Sequence, residues 1–178
     1  MSKKILSDND TPWKVIIEDL LEDFLAFFFK PVHEKIDFSK KYRFLSKELH
    51  KITRDDALGK RFADELAEVH LKAGGKSLLL IHIEVQGYEE KEFARRMFAY
   101  NHKIRSRYDL PVISLAALTD DNPDFRPDCF EEELGGFKLV FSYPLAKILD
   151  YKGREKDLQE SNNPFAHVVL SQLAFWEF

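Results

Sequence analysis

The stretch LLLIHIEVQ, Leu78 to Gln86, constrains the fold of this chain more than any other. Side chains alternate between the faces of a strand, so Leu79, Ile81, Ile83 and Val85 share one side and form an unbroken core stripe. Leu78, Leu80, His82, Glu84 and Gln86 share the other side, which begins apolar and turns polar towards its C-terminal end. Burying a carboxylate costs several kcal/mol unless something compensates it, so Glu84 needs a charged partner, a metal or water.

The segment upstream, DELAEVHLK (Asp64 to Lys72), alternates as well, and AGG between the two predicts a hairpin turn. Two registers are open. A two-residue Gly74-Gly75 turn sets Glu65 opposite Glu84, and a three-residue turn sets Asp64 there. One residue of slip moves every side chain to the other face, so the sequence alone does not choose. Either register brings an acid to Glu84. Hard oxygen ligands of this kind suit Mg²⁺, the usual ion of phosphodiester hydrolysis. A strand ending in acids is also the ordinary appearance of a solvated edge. His82, His70 and His102 show no paired ligand spacing, and His82 reads as an inner histidine.

Around the hairpin the chain reads as α/β. Thr11-Pro12 signals a helix start, and Ile16, Ile17, Leu20, Leu21, Phe24, Leu25 and Phe28 recur at helical steps up to Lys30-Pro31. FLSKELHKI predicts a second helix, followed by a turn-rich TRDDALGK. After Gly87, EEKEFARRMFAYNHKIRSRY predicts a charged, uninterrupted helix. PVISLAAL (Pro111 to Leu118) and GFKLVFSY (Gly136 to Tyr143) have strand length, the second ending at Pro144. NPFAHVVLSQLAFWEF opens like a capped helix. The order helix, hairpin, helix, strand, strand, helix predicts a mixed sheet flanked by helices.

Bulk properties narrow the function. The 178 residues suit one domain spanning 1–178, with residues 1–10 expected to be a flexible N-terminus. A net charge of −4 gives no global attraction to nucleic acid, so any such binding needs a local patch. The single cysteine, Cys129, excludes a four-cysteine zinc site and an internal disulfide, and points to a reducing, cytoplasmic setting. No signal-type segment follows the first residues, and FLAFFF (Phe24 to Phe29) is too short to span a bilayer. The 7 glycines form no phosphate-binding loop, which argues against a small-molecule enzyme.

A local basic patch is present. Arg95, Arg96, Lys103, Arg105 and Arg107 fall in one helix with no acid among them, and Arg96, Tyr100, Lys103 and Arg107 fall on one face at steps of four, three and four. Phe93, Met97 and Ile104 form the neighbouring stripe expected to pack on the sheet. An isolated stripe of this sort is usually a solvated face. Its place directly after IEVQG suits a phosphate backbone approaching the acidic strand end.

Together, Asp64, IEVQ at Ile83 to Gln86, and RMFAYN at Arg96 to Asn101 resemble the PD-(D/E)XK nuclease superfamily. Within it they resemble the recombination-promoting nuclease and transposase-like (YhgA-like) group, from about Thr11-Pro12 to NPFA at Asn163 to Ala166. The resemblance implies a restriction-endonuclease-like core of helix, three-stranded meander, helix and strand. It implies a Mg²⁺ (or Mn²⁺)-dependent endodeoxyribonuclease acting on DNA, with Asp64 and Glu84 as metal ligands. Gln86 stands where the superfamily usually has lysine, and is expected to position the attacking water by hydrogen bonding alone. Glu48 is the candidate for an additional helix-borne catalytic acid, with Glu22 behind it. Arg96, Tyr100, Lys103 and Arg107 are the expected DNA contacts. Members of the group often continue further, so the resemblance is compatible with either a chain truncated at its C-terminus or a short form. Whether two copies pair as a homodimer stays open. The alternative that the missing lysine motivates is a catalytically weak or inactive module that binds DNA or another protein.

Overall fold

The structure, a computed structural model, describes residues 10–53, 65–72 and 77–176. The predicted turns at TRDDALGK and AGG, the first nine residues and Asp64 lie outside the described residues, apart from Thr53.

A five-stranded mixed sheet lies between two layers of helix. Its order is β1 (Arg43–Phe44), β2 (Glu65–His70), β3 (Leu78–Gln86), β4 (Val112–Leu118), β7 (Leu145–Lys147). β1, β2 and β3 are antiparallel neighbours, whereas β4 runs parallel to β3 and β7 parallel to β4. The crossover from β3 to β4 is α5 (Phe93–Tyr108), and it ends in a left-handed C-cap at Asp109 (φ 50°).

The alternation of LLLIHIEVQ appears as two covered faces. Leu79, Ile81, Ile83 and Val85 enter the larger core, with α1 (Asp10–Asp19), α2 (Leu21–Phe28) and α7 (Pro164–Trp176). Leu80, Leu66 and Val112 point the other way, against α4 (Ser46–Thr53) and Ile104 of α5. The register is that of the longer turn: Glu65 pairs with Ile83 and Leu66 with His82. Paired residues share a face, so Glu65 and Glu84 stand on opposite sides of the sheet. The alternative that set Glu65 against Glu84 is thereby corrected.

The first helix is broken where a single helix was expected. Leu20 leaves helical geometry (φ −131°, ψ 43°), and Phe29 does so again before α3 (Lys30–His33). The ladder survives the first break, since the Leu20 and Phe24 amides still donate to the Ile16 and Leu20 carbonyls at 2.9 Å. The result is a kink that lets Trp13 and Ile17, then Leu21, Phe24 and Leu25, all reach the core. Asn163 caps α7 as expected, accepting from the Phe165 amide at 2.9 Å. Its amide also donates to the Asp23 carbonyl at 2.9 Å, tying α7 to α2.

GFKLVFSY forms β6 (Phe137–Ser142), but in a separate hairpin with β5 (Cys129–Leu134) and outside the main sheet. The loop Gly135-Gly136 has φ of 58° and 87°, the left-handed pair that a tight two-residue hairpin requires. Phe98 of α5 stacks on Phe130 at 5.3 Å and seats the root of this hairpin. After Pro144 the chain re-enters the main sheet as β7, then passes a 3-10 turn (Ile148–Tyr151) and α6 (Glu155–Glu160) to α7. Among the described residues no helix is long and apolar enough to cross a membrane.

Candidate active site

The polar end of β3 is not solvated. Glu84 is 2% and Gln86 3% exposed, and Arg96, at 2%, covers both from α5. Because β3 and β4 are parallel, α5 must pass back over the sheet, and it lays Phe93, Met97 and Tyr100 down on it around Arg96. One guanidinium nitrogen, Nη1, donates to both Glu84 oxygens at 2.7 and 2.8 Å. The other, Nη2, donates to Gln86 Oε1 and to Glu90 Oε2, each at 3.1 Å. Gln86 then donates from Nε2 to the Tyr88 carbonyl at 2.8 Å, so its amide is engaged at both ends. The rings of Phe93 and Tyr100 lie 5.1 and 5.8 Å from the guanidinium carbon, which adds cation–π attraction.

A second chain of contacts stands one pair of residues back along β3. Asn101 Nδ2 donates to Ser114 Oγ at 3.0 Å, and Ser114 Oγ lies 3.1 Å from His82 Nδ1. The Asn101 amide and the His82 ring thus converge on one hydroxyl, and the ring nitrogen nearer Glu84 is Nε2. That nitrogen lies 3.6 Å from Glu84 Oε1, and Tyr100 packs edge-on against the ring at 5.9 Å. RMFAYN is thus read by the sheet at three points: Arg96 at Glu84 and Gln86, Tyr100 at His82, and Asn101 at Ser114.

The other expected site residues are dispersed. Asp64 lies outside the described residues. Glu65, on the opposite face, is fully buried between Lys14 Nζ of α1 at 2.6 Å and the Ser46 hydroxyl, which donates to it. Burial holds its carboxyl above the ordinary range despite both partners. Glu48 is exposed on α4, where it acts on Arg43 and Tyr108 and does not join the Glu84 cluster. Glu22 is exposed on α2, 3.7 Å from His33. Arg96 and Tyr100, expected as DNA contacts on a basic face, are buried. A long cation goes inside when acceptors meet it there, and Glu84, Gln86 and Glu90 do so. Lys103 and Arg107 do reach the surface, lining an open cleft of about 610 Å³ with Ile52, His102 and Ser106.

Pattern reading missed Glu90, Ser114 and a second buried pair. Lys147 of β7 lies opposite Leu118, itself opposite Gln86, so all three occupy one row of the sheet. Its ammonium donates to both Asp120 oxygens at 2.8 and 2.9 Å and to the Phe125 carbonyl at 3.2 Å. A lysine that ends a three-residue strand after proline has no periodicity to announce it.

The oxygens around Glu84 are of the kind Mg²⁺ takes, but as arranged they do not fit an ion. Arg96 lies on both Glu84 oxygens and on Glu90, and no group of three or more His, Cys, Asp or Glu among the described residues is placed to hold a metal. Set against protein-family models, curated proteins and solved structures, the chain matches none of them.

Proposed function

We propose that the chain is a DNA endonuclease domain of the PD-(D/E)XK type, a phosphodiester hydrolase with a restriction-endonuclease-like core. The observation that carries this is the position of Glu84 and Gln86. They end the strand that leaves an antiparallel meander and crosses through α5 to a parallel neighbour. Support comes also from RMFAYN, whose arginine, tyrosine and asparagine all turn inward onto that strand end. Mg²⁺ or Mn²⁺, with Glu84 and Asp64 as its ligands, belongs to the proposal only for a state in which Arg96 has left the Glu84 oxygens. Lys103 and Arg107 are the proposed phosphate contacts.

The test is nicking of supercoiled plasmid with Mg²⁺ or Mn²⁺ by the parent, Glu84→Ala and Asp64→Ala. Loss of an essential ligand should slow nicking by about 100-fold or more. Equal nicking by all three proteins would sink the assignment.

One observation favours a second reading, a catalytically weak or inactive DNA-binding module. Glu84 and Gln86 are buried and saturated by Arg96, an arrangement that also serves as a structural clasp. Salt-sensitive DNA binding with no metal-dependent cleavage would decide for it.

A further inference from the structure

The mismatch between oxygen donors suited to a cation and an arginine already seated on them has a consequence that deepens the proposed site and rests on that reading. Arg96 is 2% exposed and remains protonated at any working pH, so its charge is a permanent part of the strand end. It touches three separate positions, 84, 86 and 90, which fixes the guanidinium plane as well as its charge. Gln86 is neutral, and its amide is oriented by the same contact: Oε1 towards Nη2, Nε2 towards the Tyr88 carbonyl.

We propose that Arg96 is a positioning residue and the resident cation of this site. It orients the Glu84 carboxylate and the Gln86 amide from α5, and a divalent ion reaches Glu84 only in exchange for the guanidinium. A carboxylate whose two oxygens both lie within 2.8 Å of one guanidinium nitrogen offers no open lone pair in the direction of that nitrogen. An ion arriving there must displace Nη1 or bind a carboxylate that has rotated away from it. The apparent affinity for the ion is the intrinsic affinity multiplied by the small fraction of molecules in which Arg96 has left.

The experiment is Mn²⁺ titration by calorimetry of the parent, Arg96→Met and Arg96→Lys, with plasmid nicking measured in parallel. If Arg96 occupies Glu84 in more than nine molecules of ten, its removal tightens Mn²⁺ binding by about tenfold or more. Nicking falls at the same time, because the carboxylate and amide are no longer held. Adding Glu84→Gln to each variant abolishes the gain. Arg96→Lys keeps the charge but cannot reach three acceptors at once, so it gives a smaller gain in the same direction and serves if Arg96→Met does not fold. Equal or weaker Mn²⁺ binding by a folded Arg96 variant, or no Mn²⁺ binding by any of the proteins, overturns the exchange. Tighter binding by the variants with no nicking by the parent leaves the exchange standing and removes the nuclease. Nicking that depends on Glu84, with Mn²⁺ affinity indifferent to Arg96, does the reverse.

Discussion

Glu65 shows how differently two neighbouring-looking acids are treated. Glu84 meets a guanidinium, while Glu65 meets an ammonium and a hydroxyl, and burial still raises its pKa above the ordinary carboxylate value of 4.5. A raised pKa means that the folded chain holds this proton more tightly than the unfolded chain does. The stability Glu65 contributes is therefore complete below the unfolded pKa and is lost as pH climbs through the folded one. Glu65→Gln removes that loss. Its stability relative to the parent should rise between roughly pH 4 and pH 8, read as urea midpoints at the two ends of the range. A gap that stays constant or closes would mean that Lys14 outweighs burial. The residues themselves were legible to different degrees. That Glu84 needed a partner followed from alternation alone, because an acid on the face of a strand that begins with Leu78 and Leu80 has to be compensated. The partner was not legible. Steps of four, three and four assign Arg96 to a surface, and only the meeting of Glu84, Gln86 and Glu90 reverses that assignment.

Elements with their own periodicity were the ones the sequence announced: α5, β3, β4 and α7 all lie where the pattern put them, with α5 starting at Phe93, later than its charged lead-in suggested. The break at Leu20 carries no proline or glycine and could not be read. β5 was readable in principle, since Gly135-Gly136 between CFEEEL and FKLVFS is a hairpin signal. β7 was not, because three residues after a proline have no pattern. What holds so short a strand is Lys147, which reaches across to Asp120 at the end of β4 and to the Phe125 carbonyl. Both side chains are buried, at 0% and 3% exposure, so removing the cation strands a carboxylate. Lys147→Met should cost about 3–5 kcal/mol in urea unfolding. Adding Asp120→Asn removes the orphaned charge while keeping the acceptor for the Asn122 amide, and should restore most of that loss. If the second substitution restores nothing, the pair is not what anchors β7.

At the scale of the whole molecule, a chain of net charge −4 has no general attraction for DNA, so any affinity must be local and must depend on few contacts. The α/β class and the mixed sheet followed from the order of periodicities, but the surface proposed to meet a nucleic acid did not, because half of the expected basic stripe went inside. What remains outside is the C-terminal part of α5. Arg107 stands eleven positions after Arg96, roughly 16 Å further along the helix, so phosphate contacts there lie well away from Glu84. Each phosphate neutralised on duplex DNA adds about 0.9 to the slope of log affinity against log salt. Lys103→Ala with Arg107→Ala should therefore lower that slope by about 1.8 and weaken binding evenly across sequences, measured by fluorescence anisotropy in EDTA so that no cleavage intervenes. Glu84→Gln, buried under Arg96, should leave the slope within about 0.3 of the parent. A double variant with an unchanged slope would move the DNA away from the cleft of Ile52, His102, Lys103, Ser106 and Arg107. A slope that falls on replacing Glu84 would mean that the strand end, and not α5, sets the electrostatics of binding.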